Sequence, residues 1–112
     1  MKIPDTVRIA GVDYSVDFVP TLNDGVKLLY GQVDFEQTCI HLNPDVAGHQ
    51  HQCITLWHEI LHALIGNSRI KMDADKEEEL VESLSRGIYM VLQDNGAAFF
   101  DLTKSGEPTP AT

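Results

Sequence analysis

No stretch of this chain approaches the roughly 20 consecutive apolar residues that span a bilayer. Its start, Met1-Lys2-Ile3-Pro4, lacks the apolar core of a secretion signal. A cytoplasmic protein with no membrane partner is therefore expected. Basic residues are scarce too: eight Lys and Arg stand against 17 Asp and Glu, giving a formal net charge of −9. Without a basic run to neutralise phosphates, direct nucleic-acid binding is not expected. The acidic surplus favours solubility and helps concentrate a cation, although most of these carboxylates read as solvated surface. Two cysteines, Cys39 and Cys53, are too few for a disulfide framework and read as reduced, half-buried residues. No internal repeat or interdomain linker interrupts the 112 residues, a length that supports one core and one site.

What is present is His58-Glu59-Ile60-Leu61-His62, an H-E-x-x-H run. Shuffling this composition yields the pattern only about 0.01 times. On a helix, residues four apart share a face, so His58 and His62 can offer ring nitrogens to one metal ion. Glu59 lies beside them as a base for water that the metal makes more acidic. Ile54, Trp57, Leu61, Leu64 and Ile65 recur at helical spacing through the motif, predicting a buried amphipathic helix from near His51 to a Gly66-Asn67 terminator. Cys53, five residues before His58, is rotated off the ligand face. His49 and His51 read as exposed loop histidines.

Upstream, the pattern predicts strands at 6–9 and 14–19 around an Ala10-Gly11 turn. A turn cluster follows at 21–25, and 26–30 reads equally as helical turn or strand. A second hairpin is expected, with Gly31-Gln32-Val33 and residues 38–42 flanking Asp34-Phe35-Glu36-Gln37 and Asn43-Pro44-Asp45 closing it. Downstream, Asp73 or Asp75 caps a helix over about 76–93. Its apolar stripe is Leu80, Val81, Leu84, Gly87, Ile88, Val91 and Leu92, and Asp94-Asn95-Gly96 stops it. The expected architecture is α+β: a small antiparallel sheet packed on the motif helix and a second C-terminal helix. The domain is expected over 1–96. The tail, 97–112, is expected to be partly disordered over its last eight residues, with Phe99 and Phe100 docked on the body.

A catalytic zinc takes three protein ligands and leaves a position for water. No histidine follows His62, so a carboxylate is the expected third ligand, and the second helix offers Glu77, Glu78, Glu79 and Glu82. When each residue is advanced by about 100° around the helix axis, Glu77 falls closest to the centre of the apolar stripe. Glu78 flanks the stripe and shares a face with Glu82, whereas Glu79 faces away. Periodicity alone favours Glu77 slightly. Asp75-x-x-Glu78 also resembles a capping box, which would tie the Glu78 carboxylate to a backbone amide.

H-E-x-x-H followed by Glu78-Glu79-Leu80-Val81-Glu82 resembles the Glu-zincin metallopeptidases, whose later motif is E-x-x-x-D, with Glu82 here in place of Asp. More closely, residues 28–94 resemble the small ImmA/IrrE-like metallopeptidases of bacteria and phages. The strand pair 31–35 and 39–43 and the helix positions Glu78, Val81 and Leu84 carry that likeness, although a small residue and Asn are replaced by Val81 and Glu82. The resemblance implies one Zn2+ held by His58, His62 and Glu78, with Glu82 orienting His58. It implies Glu59-assisted hydrolysis of a peptide bond in an extended protein segment, such as a regulatory phage or bacterial protein. It also implies a substrate-pairing edge strand at 38–42. His41, Tyr30 and Tyr89 are candidate oxyanion donors, each more simply read as packed near the sheet. Two other classes fit the same residues: a zincin-like module that only docks to a partner protein, and a phage structural protein in which zinc staples two helices.

Overall fold

The computed structural model describes residues 1–100, as four strands followed by two helices: β1 (Thr6–Ile9), β2 (Val12–Phe18), β3 (Gly31–Asp34), β4 (Cys39–Leu42), α1 (His49–Gly66) and α2 (Ala74–Phe100). It is a small α+β fold. No helix among the described residues is long and apolar enough to cross a membrane.

The first hairpin turns at Ala10 and Gly11, both with positive φ (52° and 82°), the backbone sense that matches the twist of two paired strands. The sheet order is β1-β2-β4-β3, with β1–β2 and β3–β4 antiparallel but β2–β4 parallel. The expected antiparallel sheet is thus a mixed one. The chain leaves β2, places β3 at the far edge, and returns to lay β4 between them. Strand β4 is accordingly interior, and the free edge beside α1 belongs to β3, not to 38–42 as expected. Residues 26–30 are neither helix nor named strand; they form a loop pinned by an isolated Asn23–Leu28 bridge and by Asn43. Asn43 is almost wholly buried, and its Nδ2 donates to the carbonyls of Leu22 (3.5 Å) and Leu29 (3.1 Å).

One face of the sheet, carrying Ile9, Tyr14, Val16, Ile40 and Leu42, buries against Leu56, Ile60 and Ala63 of α1. Burial of each large aliphatic side chain contributes about 1.5–3 kcal/mol. This face of α1 differs from the expected stripe: Trp57 and Leu61 lie at its flanks and Leu64 is exposed. The helix is enclosed by the sheet on one side and α2 on the other, so no single stripe describes it. Gly66 ends α1 in helical register, where a Cβ would stand 2.6 Å from Phe35 Cζ. Asn67 closes the helix through its backbone N–H and its Nδ2, both donating to the Ala63 carbonyl.

Asp73 caps α2, with Oδ1 accepting from Lys76 N–H at 2.8 Å. The Asp75–Glu78 capping box does not form. Among the described residues of α2, Val81, Ser85 and Tyr89 are buried and Ile88 and Leu92 half-buried, while Leu80, Leu84 and Val91 are exposed. The packed face is therefore turned by about 75° from the expected stripe, toward Glu78. The helix also runs through Asp94-Asn95-Gly96, which was expected to stop it. Asn95 Nδ2 donates to the Val91 carbonyl at 3.0 Å within the helix, and a helical glycine costs only about 1 kcal/mol. The expectations for residues 101–112 and for docking of the Phe99 and Phe100 side chains lie outside the described residues.

Strand β3 approaches α1 at Gly31, where a Cβ would stand 2.6 Å from Thr55 Cγ2, 3.1 Å from the His41 carbonyl oxygen and 3.3 Å from Glu59 Cγ. Gly31→Ala is expected to destabilise the fold by about 1–3 kcal/mol through overpacking. Gly87→Ala, with nothing within 4 Å of the new Cβ on exposed α2, is expected to stabilise it by about 0.5–1 kcal/mol. Urea denaturation midpoints test both. A neutral Gly31→Ala would mean that β3 does not seat on α1 in this way.

Candidate metal centre

His58 and His62 lie one turn apart on the side of α1 that meets α2, each imidazole 16% exposed. Their Nε2 atoms face each other at 3.2 Å. The carboxylate of Glu78 reaches both, with Oε1 3.0 Å from His58 Nε2 and Oε2 3.0 Å from His62 Nε2. The outward nitrogens have carboxylates of their own. Glu82 Oε2 lies 3.3 Å from His58 Nδ1, and Glu77 Oε2 lies 2.6 Å from His62 Nδ1.

These contacts sort the acidic candidates. Glu78 stands nearest the centre of the buried face of α2, and no capping bond diverts it. Glu77, favoured slightly by periodicity, meets the outer nitrogen of His62 instead of the ligand cluster. Glu82 backs His58, in the position the resemblance implied. Glu79 is exposed and takes no part in the cluster. Hydropathy puts Leu80, Leu84 and Val91 in the stripe and so points to Glu77, whereas Ser85 and Tyr89 line the packed face and those three residues are exposed.

Do these residues fit a metal? Around an ion with bonds of about 2.0–2.1 Å, the corners of a tetrahedron are roughly 3.3 Å apart. Here the two Nε2 atoms are 3.2 Å apart and each is 3.0 Å from a different oxygen of Glu78, and one donor atom from each residue lies within 4.8 Å of the other two. Two imidazoles and a carboxylate are donors that suit zinc, and a carboxylate on each Nδ1 fixes the ring orientation that leaves Nε2 free to bind. The donor set fits one divalent ion. Burial holds His58 below its ordinary value, against the opposing pull of Glu78 and Glu82, which keeps it neutral and able to donate a lone pair at pH 7.

Comparisons with protein-family models, with curated proteins and with solved structures find no match for this chain. Glu59, next to His58, is only 7% exposed and is not among the three clustered ligand groups. Burial raises its carboxyl from the ordinary 4.5 to about 7; His62 and the Val33 backbone N–H pull it down, and Glu78 pushes it up. Across the β3–β4 ladder Asn43 N–H bonds the Tyr30 carbonyl, so strand alternation turns the backbone groups of Gly31 and Val33 to the free edge, over Glu59. Between that edge and α2 lies a cleft of about 590 Å³ lined by Tyr30, Gly31, His58, Glu59, Glu78 and Arg86, among others. A cavity of about 620 Å³ between the N-terminal arm, Trp57 and Leu92 contains none of the clustered side chains.

Of the suggested oxyanion donors, Tyr30 alone lines the cleft, stacked on His51 at 4.7 Å. Tyr89 is buried with Cys53 and Ile54 between the helices, and His41 lies on the opposite face of the sheet. His49 and His51 belong to the first turn of α1, not to a loop, and both are exposed. Neither Cys39 nor Cys53 is in a disulfide. Sequence reasoning missed one further grouping, Asp17, Cys39 and His41. Its signal was present as Cys-x-His within a strand, since residues two apart point to the same side.

The raised Glu59 carboxyl sets a pH dependence. A group whose proton is held more tightly in the folded state stabilises most below its unfolded pKa and loses that contribution as pH rises through the folded value. In chelator, the wild type should lose stability between pH 4.5 and about 7, by up to about 3 kcal/mol relative to Glu59→Gln. Urea unfolding of both proteins at pH 5 and pH 8 measures this. Parallel curves would show that the carboxyl is not buried as described.

Proposed function

We propose that the protein is a zinc-dependent peptidase of the Glu-zincin type, cleaving an extended segment of another protein. The observation that carries the reading is the division of labour among four carboxylates. Glu78 meets the inner nitrogens of both histidines, Glu77 and Glu82 hold the outer nitrogens, and Glu59 remains buried beside them as a base. His58, His62 and Glu78 would hold the ion, which when bound supplies Lewis acidity that polarises a peptide carbonyl and acidifies water.

The remaining steps belong to the chain's own side chains. Glu59, raised to about 7, takes a proton from water near neutral pH and returns it to the departing amine. An extended peptide laid along β3 would meet the outward backbone groups of Gly31 and the Val33 carbonyl, the Val33 N–H being engaged by Glu59, and such contacts hold a main chain with little demand on its sequence. Tyr30, on the cleft wall, would donate its hydroxyl to the carbonyl oxygen. A cleft of about 590 Å³ takes a few residues of substrate, not a folded domain.

Glu59→Gln should retain stoichiometric zinc and lose peptide hydrolysis by at least about 100-fold, whereas Glu78→Ala should lose zinc. Metal analysis beside a fluorogenic peptide-library assay reads both. An active Glu59→Gln protein removes the proposed base, and zinc retained by Glu78→Ala removes the proposed ligand. Wild type that binds zinc without cleaving anything favours a docking module or a zinc staple instead. Glu77→Gln should weaken zinc by about 10–100-fold through the freed His62 ring, with Glu79→Gln unchanged. Equal effects of the two in competition titrations would contradict the ranking of the acidic residues.

A further inference from the structure

The face of the sheet turned away from α1 has a polar cluster of its own. Strand alternation sends Ile40 and Leu42 into the core, so Cys39 and His41 project from the other side. The parallel register sets Asp17 of β2 beside His41, and the antiparallel register sets Asp34 of β3 beside Cys39. Cys39 Sγ lies 3.2 Å from His41 Nε2, and these two atoms and an Asp17 carboxylate oxygen are all within 4.8 Å of one another. The thiol is buried, the imidazole half-buried and the carboxylate at the solvent rim.

The geometry points to a second metal site, in which Cys39 Sγ, His41 Nε2 and the Asp17 carboxylate take a zinc-class divalent cation. A thiolate and an imidazole are the donor pair such ions prefer, and strands hold them more rigidly than a loop would. Charge is balanced as well. The thiol gives up its proton to solvent on binding, and one thiolate and one carboxylate then offset the two charges of the ion, with water completing the coordination. Without metal, burial raises the Cys39 thiol, and Asp34 and Asp17 raise it further by repulsion; a cation in their midst reverses that repulsion. The site would tie β2 to β4, the parallel pair that no hairpin joins directly, and stabilise the folded chain by binding it selectively. It lies across the sheet from His58, His62 and Glu78 and stands whether or not those residues catalyse anything.

Cobalt(II) titration of the reduced, metal-free full chain tests this directly, because only a cysteine ligand gives thiolate-to-cobalt charge-transfer absorption. The band should grow in the wild type, disappear in Cys39→Ser, and persist in both Cys53→Ser and His58→Ala. Asp17 is exposed, so Asp17→Asn keeps the fold and should shift the midpoint to at least about tenfold more cobalt, the smallest loss usual even for a carboxylate outside the ligand shell. No band in the wild type at saturating cobalt, a band that survives Cys39→Ser, or an unchanged midpoint in Asp17→Asn overturns the assignment.

Discussion

The 3.0 Å contacts of the Glu78 carboxylate with Nε2 of both His58 and His62 are the constraint on which the rest of the site depends. They require α2 to sit on α1 at one rotation. Tyr89 sets that rotation by packing with Cys53 and Ile54 of α1, and Val81 and Ser85 are buried along with it. A helix turned by one position, about 100°, would carry Glu78 away from the inner nitrogens. Local capping agrees with the packing: Asp73, not Asp75, receives the first-turn amide of Lys76, which leaves the Glu78 carboxylate unspent.

The sheet contributes the opposite wall. Because β4 lies inside the sheet and β3 at its edge, β3 presses on α1 at Gly31, where Thr55 and Glu59 leave no room for a side chain. This close approach helps to bury Glu59, and the backbone of Gly31 and Val33 faces the free edge of the sheet. Asn43 fastens the loop that forms the cleft's upper rim. Recognition and chemistry in the proposed peptidase thus rest on one helix clasped between a strand edge and a second helix. The sheet's other face, with Asp17, Cys39 and His41, is free to serve a different ion.

Local signals were legible and nonlocal ones less so. The Ala10-Gly11 turn, both hairpins, the motif helix and the trio of His58, Glu59 and His62 follow from short-range pattern, since spacing and turn chemistry are properties of adjacent residues. Parallel pairing of β2 with β4 is not such a property, because the chain between them can return on either side. The phase of α2 failed for a related reason: Leu80, Leu84 and Val91 look like core, yet Ser85 and Tyr89 occupy it, and hydropathy does not register a small hydroxyl or a tyrosine that packs well. Packing brings Glu78 to the inner nitrogens of both histidines, where periodicity leans to Glu77. The Cys39–His41 grouping escaped notice because its third member, Asp17, arrives only through the register of a neighbouring strand.

The proposed centre is one divalent ion between two imidazoles and a carboxylate of the next helix. Crystals grown with zinc and measured on both sides of the zinc absorption edge locate that ion without reference to any activity. An anomalous peak is expected about 2.0–2.2 Å from His58 Nε2, His62 Nε2 and a Glu78 oxygen. Saturating zinc that leaves no peak there, or a peak held by Glu77 in place of Glu78, would contradict it.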